Sequence, residues 1–125
     1  MENYNILFID DDKNIISVYR DSMALSPYSY KIATTGEEAL QLIETMSFDI
    51  FIVDINLRSK ELSGVDLGVV FRKKFKDAKI YAMTGYSNIF DSIEPSVAGF
   101  DKVLSKGFGF TELVEQIKKD LTGNN

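Results

Sequence analysis

The residues of this sequence that are best suited to chemistry each stand at the end of a short apolar stretch. They are two adjacent aspartates, a third aspartate, a threonine and a lysine: Asp10, Asp11, Asp54, Thr84 and Lys106. The chain contains no histidine and no cysteine. This excludes Ser-His-Asp mechanisms, thiol nucleophiles, disulfides and the usual zinc sites. Any catalysis must therefore use carboxylates, hydroxyls, lysine or a bound hard cation.

Clustered carboxylates of this kind suit a hard divalent cation, and Mg²⁺ in particular is bound by few carboxylates together with waters. A Mg²⁺ ion beside one carboxylate can neutralise an incoming phosphoryl group, while a lysine and a hydroxyl hold its remaining oxygens. An aspartate can itself act as the nucleophile and form an aspartyl-phosphate. An aspartate run after a strand more often forms a turn or a helix cap, so the chemical interpretation depends on whether the fold brings these side chains together.

Short apolar runs alternate with amphipathic stretches along the whole chain. The apolar runs predict strands at Ile6–Ile9, Tyr28–Ala33, Ile50–Val53, Lys79–Met83 and within "FDKVLSK" up to Lys106. The amphipathic stretches predict helices over Lys13–Leu25, within "TTGEEALQLIETM", over Val65–Phe75, around Ser87–Ile93 and within "FTELVEQIKKDL". Five successive βα units predict an α/β fold with a parallel sheet and helices on both faces. Ligands of such sheets bind at the carboxyl ends of the strands, where the residues named above would converge.

Length and composition indicate a single domain over residues 1–125, with its core from about residue 4 to residue 121 and a short C-terminal tail. The 125 residues are 45% hydrophobic, which is enough apolar material for one core. The net charge of −5 gives no global support for direct nucleic-acid binding. No apolar run is long enough to span a bilayer and no signal peptide opens the chain, so we expect no membrane association and a cytoplasmic location.

Five short motifs in this order and spacing resemble the receiver domain of two-component response regulators: "ILFIDDDKN", "ATTGEEAL", "FDIFIVDINL", "AMTG" and "AGFDKVLSK". The resemblance covers about Tyr4 to Leu121. It implies the flavodoxin-like receiver fold, a five-stranded parallel sheet in the order 2-1-3-4-5. It also implies a phosphohistidine donor, either a sensor histidine kinase or a histidine phosphotransfer protein. The face of helix 4, strand 5 and helix 5 would contact an output domain or target protein, and phosphorylation could produce a homodimer.

The resemblance assigns roles to the acidic residues. Asp54 resembles the phosphoacceptor, while Asp11 resembles a direct Mg²⁺ ligand and Asp10 a ligand that acts through water. The backbone carbonyl of Asn56 resembles the third protein ligand of the ion. Asp12 has no direct role and is expected to start the first helix. The adjacent carboxylates would tolerate their mutual repulsion because a cation binds between them.

Thr84 and Lys106 resemble the switch hydroxyl that follows the phosphoryl group and the lysine that pairs with it. Two departures from the family lie close to this lysine. The family usually has a proline after it, with a cis peptide bond, whereas here Gly107 follows, and a cis bond before a non-proline residue costs about 3 kcal/mol. The family often has Tyr or Phe three residues before the lysine. That position is Val103 here, so the usual aromatic rotamer switch cannot operate there.

The segment after Asp54 also departs from the family. Arg58 stands where a proline is common, and Gly64 follows Asp54 by ten residues rather than by about eight. This indicates a small insertion, "RSKELS", which we interpret as a neutral surface loop in preference to a docking element. Tyr86, two residues after Thr84, is close in the family to the path of the attacking water. Its ring is expected to slow the loss of the phosphoryl group.

The sequence favours a Mg²⁺-dependent receiver whose enzymatic activity is at most self-phosphorylation and self-dephosphorylation. The first alternative is a degenerate receiver that acts as a phosphorylation-independent binding module. A metal-dependent phosphatase would usually need a second aspartate two residues after the nucleophile, and Asn56 stands there. A flavodoxin-like cofactor binder ranks last, because no glycine-rich phosphate loop follows the first strand.

Overall fold

The computed structural model describes residues 4–24, 26, 28–55, 64–84, 99–105, 115 and 119. Strands and helices alternate through these residues, as the sequence predicts. In chain order they are β1 Asn5–Ile9, α1 Lys13–Met23, β2 Ser29–Ala33, α2 Gly36–Thr45, β3 Ile50–Asp54, α3 Gly64–Lys74, β4 Lys79–Thr84 and β5 Lys102–Ser105. The predicted helices around Ser87–Ile93 and within residues 110–121 lie outside the described residues, apart from Glu115 and Lys119, which are helical.

The five strands form one parallel sheet in the order β2-β1-β3-β4-β5, which confirms the predicted fold class. The chain moves from β1 outward to β2 and then crosses back to β3 on the other side of β1. The strand order therefore reverses between β1 and β3, and such a reversal leaves a crevice at the carboxyl ends of the two strands. Ile9 pairs with Val53 in this register, so the residues that follow β1 lie beside the end of β3.

Two apolar layers cover the two faces of the sheet. The α2/α3 core layer includes Ala39 and Ile43 of α2, Phe51 and Val53 of β3, and Leu67 and Phe71 of α3. The α1 core layer includes Phe8 of β1, Tyr19 and Met23 of α1, and Ile50 and Ile52 of β3. Successive residues of a strand point to opposite faces, so β3 supplies side chains to both layers and is buried throughout. This burial explains its continuous apolar sequence.

Polar side chains define where the first two helices begin. The Asp12 carboxylate accepts hydrogen bonds from the N–H groups of Asn14 (2.9 Å) and Ile15 (3.4 Å), which makes it the N-cap of α1. The hydroxyl of Thr35 accepts a hydrogen bond from the N–H of Glu38 (3.1 Å) and caps α2. The prediction that Asp12 starts the first helix is confirmed.

The observed element boundaries differ from the predicted ones by one or two residues. Helix α1 ends at Met23 rather than Leu25, and the Ala24 N–H caps it by donating to the carbonyl of Arg20. A proline at position 27 disfavours helical backbone at residue 26, so the helix has to end before that residue. Helix α3 begins one residue earlier than predicted, at Gly64, which lies against the backbone at the end of β3.

Candidate functional site

Three carboxylates meet at the carboxyl edge of the sheet, as the sequence predicts. Asp54 is the last residue of β3, and Asp10 and Asp11 directly follow β1. Each of the three side chains offers an oxygen, and these oxygens all lie within 4.8 Å of one another. Asp10 is 0% and Asp54 2% exposed, while Asp11 is half-buried. The carboxylates of Asp10 and Asp54 are thus largely shielded from water, and that of Asp11 lies closer to the surface.

Backbone hydrogen bonds hold Asp10 in place. Its N–H donates to the carbonyl of Ala33 at the end of β2 (3.1 Å), and its carboxylate Oδ1 accepts from the N–H of Asp12 (2.9 Å). This bond closes a tight turn between β1 and α1. Because of this turn, the side chain of Asp10 is buried, whereas that of Asp12 caps α1.

The peptide that follows Asp54 is held from two sides. The N–H of Ile55 donates to the carbonyl of Met83 on β4 (3.1 Å). Gly64, the first residue of α3, lies against the same peptide, so closely that a Cβ atom there would fall 2.5 Å from the Asp54 carbonyl oxygen. The sequence signals Gly64 only through its altered spacing from Asp54, and this contact is not visible in the sequence.

A buried tyrosine interacts electrostatically with two residues of the acidic cluster. Tyr19 of α1 is 2% exposed, and its ring stacks on Phe8 with the ring centroids 4.2 Å apart. Burial above all, and then the negative charges of Asp10 and Asp54, raise the pKa of the Tyr19 phenol far above its usual value. The hydroxyl therefore stays protonated. The amphipathic pattern that predicts the helix over Lys13–Leu25 does not reveal the proximity of Tyr19 to the carboxylates.

The remaining predicted site residues are described to different extents. Thr84 ends β4, the neighbour of β3, and its backbone pairs with Ser105 of β5 at the same edge of the sheet. Asn56 and Lys106 lie outside the described residues, as do Arg58, Tyr86 and the Lys106–Gly107 bond. Val103 is half-buried in β5 and packs against the α2/α3 core layer. The roles of Thr84, Asn56 and Lys106 stay predictions.

The donor set of the cluster suits Mg²⁺. Among the described residues, Asp10, Asp11 and Asp54 are the group of metal-ligating side chains that could jointly hold an ion. All three offer carboxylate oxygen, which hard divalent cations prefer over nitrogen or sulfur. A dication would also offset the repulsion of the two buried carboxylates. The residues present therefore fit Mg²⁺ on chemical grounds.

Known proteins match this chain over nearly its whole length. The family model of the response regulator receiver domain matches residues 6–118. The probable transcriptional regulator ycf27 of Cyanidium caldarium is 30% identical over 118 residues, which are 94% of this chain and 46% of that protein. A CheY-like response regulator receiver domain protein from Methanospirillum hungatei has a TM-score of 0.87 at 28% identity, covering 98% of this chain and 97% of that one. The response regulator protein TrrA of Thermotoga maritima, solved in complex with Mg²⁺-BeF, has a TM-score of 0.80 at 36% identity, covering 94% and 98%.

The fold and the site define a doubly wound α/β domain with an acidic cluster at the carboxyl edge of its sheet. This chain belongs to the response regulator receiver domain family, and its function lies in two-component signal transduction. Receiver domains generally bind Mg²⁺, in agreement with the acidic cluster. A phosphorylation-independent binding module is not favoured.

The chain spans about half the length of the curated relatives it matches. None of the helices in the described part of the chain combines the length and the hydropathy needed to cross a membrane.

Proposed function

We propose that this receiver domain accepts a phosphoryl group on Asp54, with Mg²⁺ held by Asp10, Asp11, Asp54 and the backbone carbonyl of Asn56. The observation that carries the proposal is the convergence of three carboxylates within 4.8 Å at the point where the strand order reverses. Asp54 is the member of the cluster that ends the central strand, and it is almost fully buried.

The proposed reaction is a phosphoryl transfer between two side chains. A carboxylate oxygen of Asp54 attacks the phosphorus of a phosphohistidine on the donor protein. A P–O bond forms as the P–N bond breaks, and the imidazole leaves with the electron pair and takes up a proton. Bound Mg²⁺ supplies positive charge that neutralises the phosphoryl oxygens. Asp11 would hold the ion directly and Asp10 through water.

Two further residues complete the proposed site by resemblance to the family. The Lys106 ammonium would pair with the phosphoryl group, and the Thr84 hydroxyl would follow it. The shift of Thr84 would then alter the face formed by helix 4, strand 5 and helix 5. Because Val103 is aliphatic, the shift cannot turn an aromatic ring at that position, and the packing of β5 on the α2/α3 core layer would carry it instead.

The proposed partners follow from this reaction. A sensor histidine kinase or a histidine phosphotransfer protein in the cytoplasm would supply the phosphoryl group. An output domain or a separate target protein would read the altered face, and a homodimer could form on phosphorylation. Relatives about twice as long, one of them named as a probable transcriptional regulator, support an output domain. Residues 1–125 would constitute a single receiver domain.

Intact mass spectrometry with acetyl phosphate tests the proposal. The wild type should gain one phosphoryl group with Mg²⁺ present and none without it, and Asp54→Asn should gain none. Asp49→Asn is the matched control, because Asp49 lies at the opposite end of β3 and an amide can still accept its hydrogen bond from the Asn5 N–H (2.9 Å). If the wild type gains no phosphoryl group and binds neither Mg²⁺ nor beryllofluoride, the chain is a constitutive binding module instead.

A further inference from the structure

Gly64, the first residue of α3, lies closer to the backbone of Asp54 than any residue with a Cβ atom could lie. A Cβ atom on Gly64 would lie 2.5 Å from the Asp54 carbonyl oxygen, 2.5 Å from the Cα of Ile55 and 3.0 Å from the Asp54 carbonyl carbon. Real Cβ atoms essentially never come within 3.0 Å of such atoms. All three neighbours are backbone atoms, so no side-chain rotation could make room for a methyl group.

The peptide that Gly64 contacts is also fixed on its other side. The Ile55 N–H donates to the carbonyl of Met83 (3.1 Å), and Asp54 pairs with Met83 in the β3–β4 register. The 54–55 peptide therefore lies between β4 and the start of α3. Any displacement away from α3 would strain the hydrogen bond to Met83, and it would carry the Asp54 side chain with it.

Helix α3 cannot retreat easily from this contact. Leu67 and Phe71 on its inner face are 0% exposed, and the Phe71 ring stacks on Phe51 of β3 with the centroids 4.2 Å apart. At its last turn, Arg72 bonds to the chain that leads into β5. Because the body of the helix is anchored at Leu67, Phe71 and Arg72, we expect a methyl group at position 64 to displace the Asp54–Ile55 peptide.

We propose that Gly64 is a positioning residue that sets the place of the Asp54 peptide and, through it, of the Asp54 carboxylate relative to Asp10 and Asp11. The inference rests on the proposed function of Asp54. Mg²⁺ demands near-octahedral geometry, and a displacement of about 1 Å can lower a rate 100-fold. Helix α3 thus begins, ten residues after Asp54, in contact with the Asp54–Ile55 peptide.

Gly64→Ala tests the proposal, and Gly99→Ala is the matched control. A Cβ atom on Gly99 would lie 2.8 Å from the Cβ of Arg72, and the φ of Gly99 is +87°, so this variant is also strained. Gly99 precedes β5 and lies at the opposite edge of the sheet from the acidic cluster. Both variants should be less stable than the wild type. Only Gly64→Ala should bind Mg²⁺ at least tenfold more weakly and accept phosphate from acetyl phosphate ten- to 100-fold more slowly.

A Gly64→Ala variant that folds and stays within twofold of the wild type in both measurements would overturn the proposal. If the variant is unfolded in buffer, trimethylamine N-oxide favours the folded state, and the same comparison with Gly99→Ala applies there. A Mg²⁺ titration of the wild type followed by backbone-amide NMR needs no variant. The Gly64 amide should shift together with those of Asp54 and Ile55 while that of Gly99 does not, and an unmoved Gly64 signal at saturation would also overturn the proposal.

The same measurements distinguish the acceptor role of Asp54 from the positioning role of Gly64. If the wild type binds Mg²⁺ but neither gains a phosphoryl group nor binds beryllofluoride, the acceptor role of Asp54 is wrong. A loss of Mg²⁺ affinity in Gly64→Ala would still support the positioning role in that case. If the wild type is phosphorylated and Gly64→Ala is phosphorylated equally fast, only the positioning role is wrong.

Discussion

The guanidinium of Arg72 lies 2.7 Å from the carboxylate of Asp101 and joins the end of α3 to the start of β5. The same Asp101 oxygen accepts a hydrogen bond from the N–H of Ile80 (2.8 Å). Arg72 also donates to three backbone carbonyls, those of Lys76, Ala78 and Gly99. The two side chains are 29% and 38% exposed, so their charge attraction alone contributes little, and the hydrogen bonds to backbone groups carry most of the stabilisation.

We therefore expect Arg72→Lys to lower the free energy of unfolding by about 2 kcal/mol, because an ammonium cannot reach these acceptors in the geometry of the guanidinium fork. Asp101→Asn should cost less than about 1 kcal/mol, since an amide oxygen can still accept from the Ile80 N–H. Urea unfolding measures both values. Equal losses in the two variants would show that the ion pair, and not the set of backbone hydrogen bonds, is the main contribution.

The neighbouring aspartates Asp11 and Asp12 should have separable roles. Asp12 caps α1, so Asp12→Ala should lower the free energy of unfolding by about 1 kcal/mol and leave Mg²⁺ affinity within twofold of the wild type. Asp11→Ala should weaken Mg²⁺ binding at least tenfold, with little loss of stability. Calorimetric Mg²⁺ titration and urea unfolding of both variants check this. A large loss of Mg²⁺ affinity in Asp12→Ala would contradict the assignment.

The sequence alone predicts the strands well, for a physical reason. Strands β1 and β3 are covered on both faces, so their apolar runs are almost continuous, and both predictions are confirmed. The edge strand β2 is exposed at Ser29 and Lys31, and its weaker pattern predicts its start one residue too early. Alternation of strands and helices predicts a parallel sheet but is compatible with several strand orders. The order itself follows from the family resemblance.

The sequence predicts those parts of the site that follow from the order and direction of the strands. The carboxyl ends of parallel strands share one edge, so the sequence predicts that Asp10 and Asp54 lie together. The contact of Gly64 depends on how closely α3 crosses β3, and the proximity of Tyr19 to the carboxylates depends on how α1 is rotated on the sheet. Both are set by packing between elements distant in sequence. Periodicity indicates which face of a helix is buried but not what it meets there.

Repulsion within the acidic cluster should lower stability when Mg²⁺ is absent. Two unit charges no more than 4.8 Å apart repel by at least about 3 kcal/mol at an effective dielectric constant of 20. We expect Asp54→Asn to raise the free energy of unfolding by on the order of 1 kcal/mol without Mg²⁺. The wild type should gain stability with rising Mg²⁺ concentration, and Asp54→Asn should gain much less.

Thermal unfolding with and without Mg²⁺ checks this expectation, with Asp49→Asn as the control. Asp49 is exposed at the amino end of β3, so its neutralisation should not reproduce the effect. A destabilised Asp54→Asn in the absence of Mg²⁺ would show that the contacts of the carboxylate outweigh the repulsion.

The buried phenol of Tyr19 should make the protein sensitive to alkaline pH. Burial, followed by the charges of Asp10 and Asp54, raises the pKa of Tyr19 in the folded state, while in the unfolded chain the pKa is about 10. Below pH 10 both states keep the proton, and Tyr19 adds no pH dependence. Above pH 10 only the unfolded state loses it. Stability should therefore fall by up to about 1.4 kcal/mol per pH unit from this residue.

Tyr19→Phe removes the proton and should remove that slope. We expect the variant to lose less stability than the wild type between about pH 9 and pH 11 in urea unfolding, whatever its stability at neutral pH. Tyr30→Phe is the control, because Tyr30 is a half-buried ring on the edge strand β2 that also contacts Phe8. If Tyr19→Phe and the wild type lose stability equally as the pH rises, the phenol is accessible to solvent, and the packing of α1 beneath the acidic cluster is looser than the structure shows.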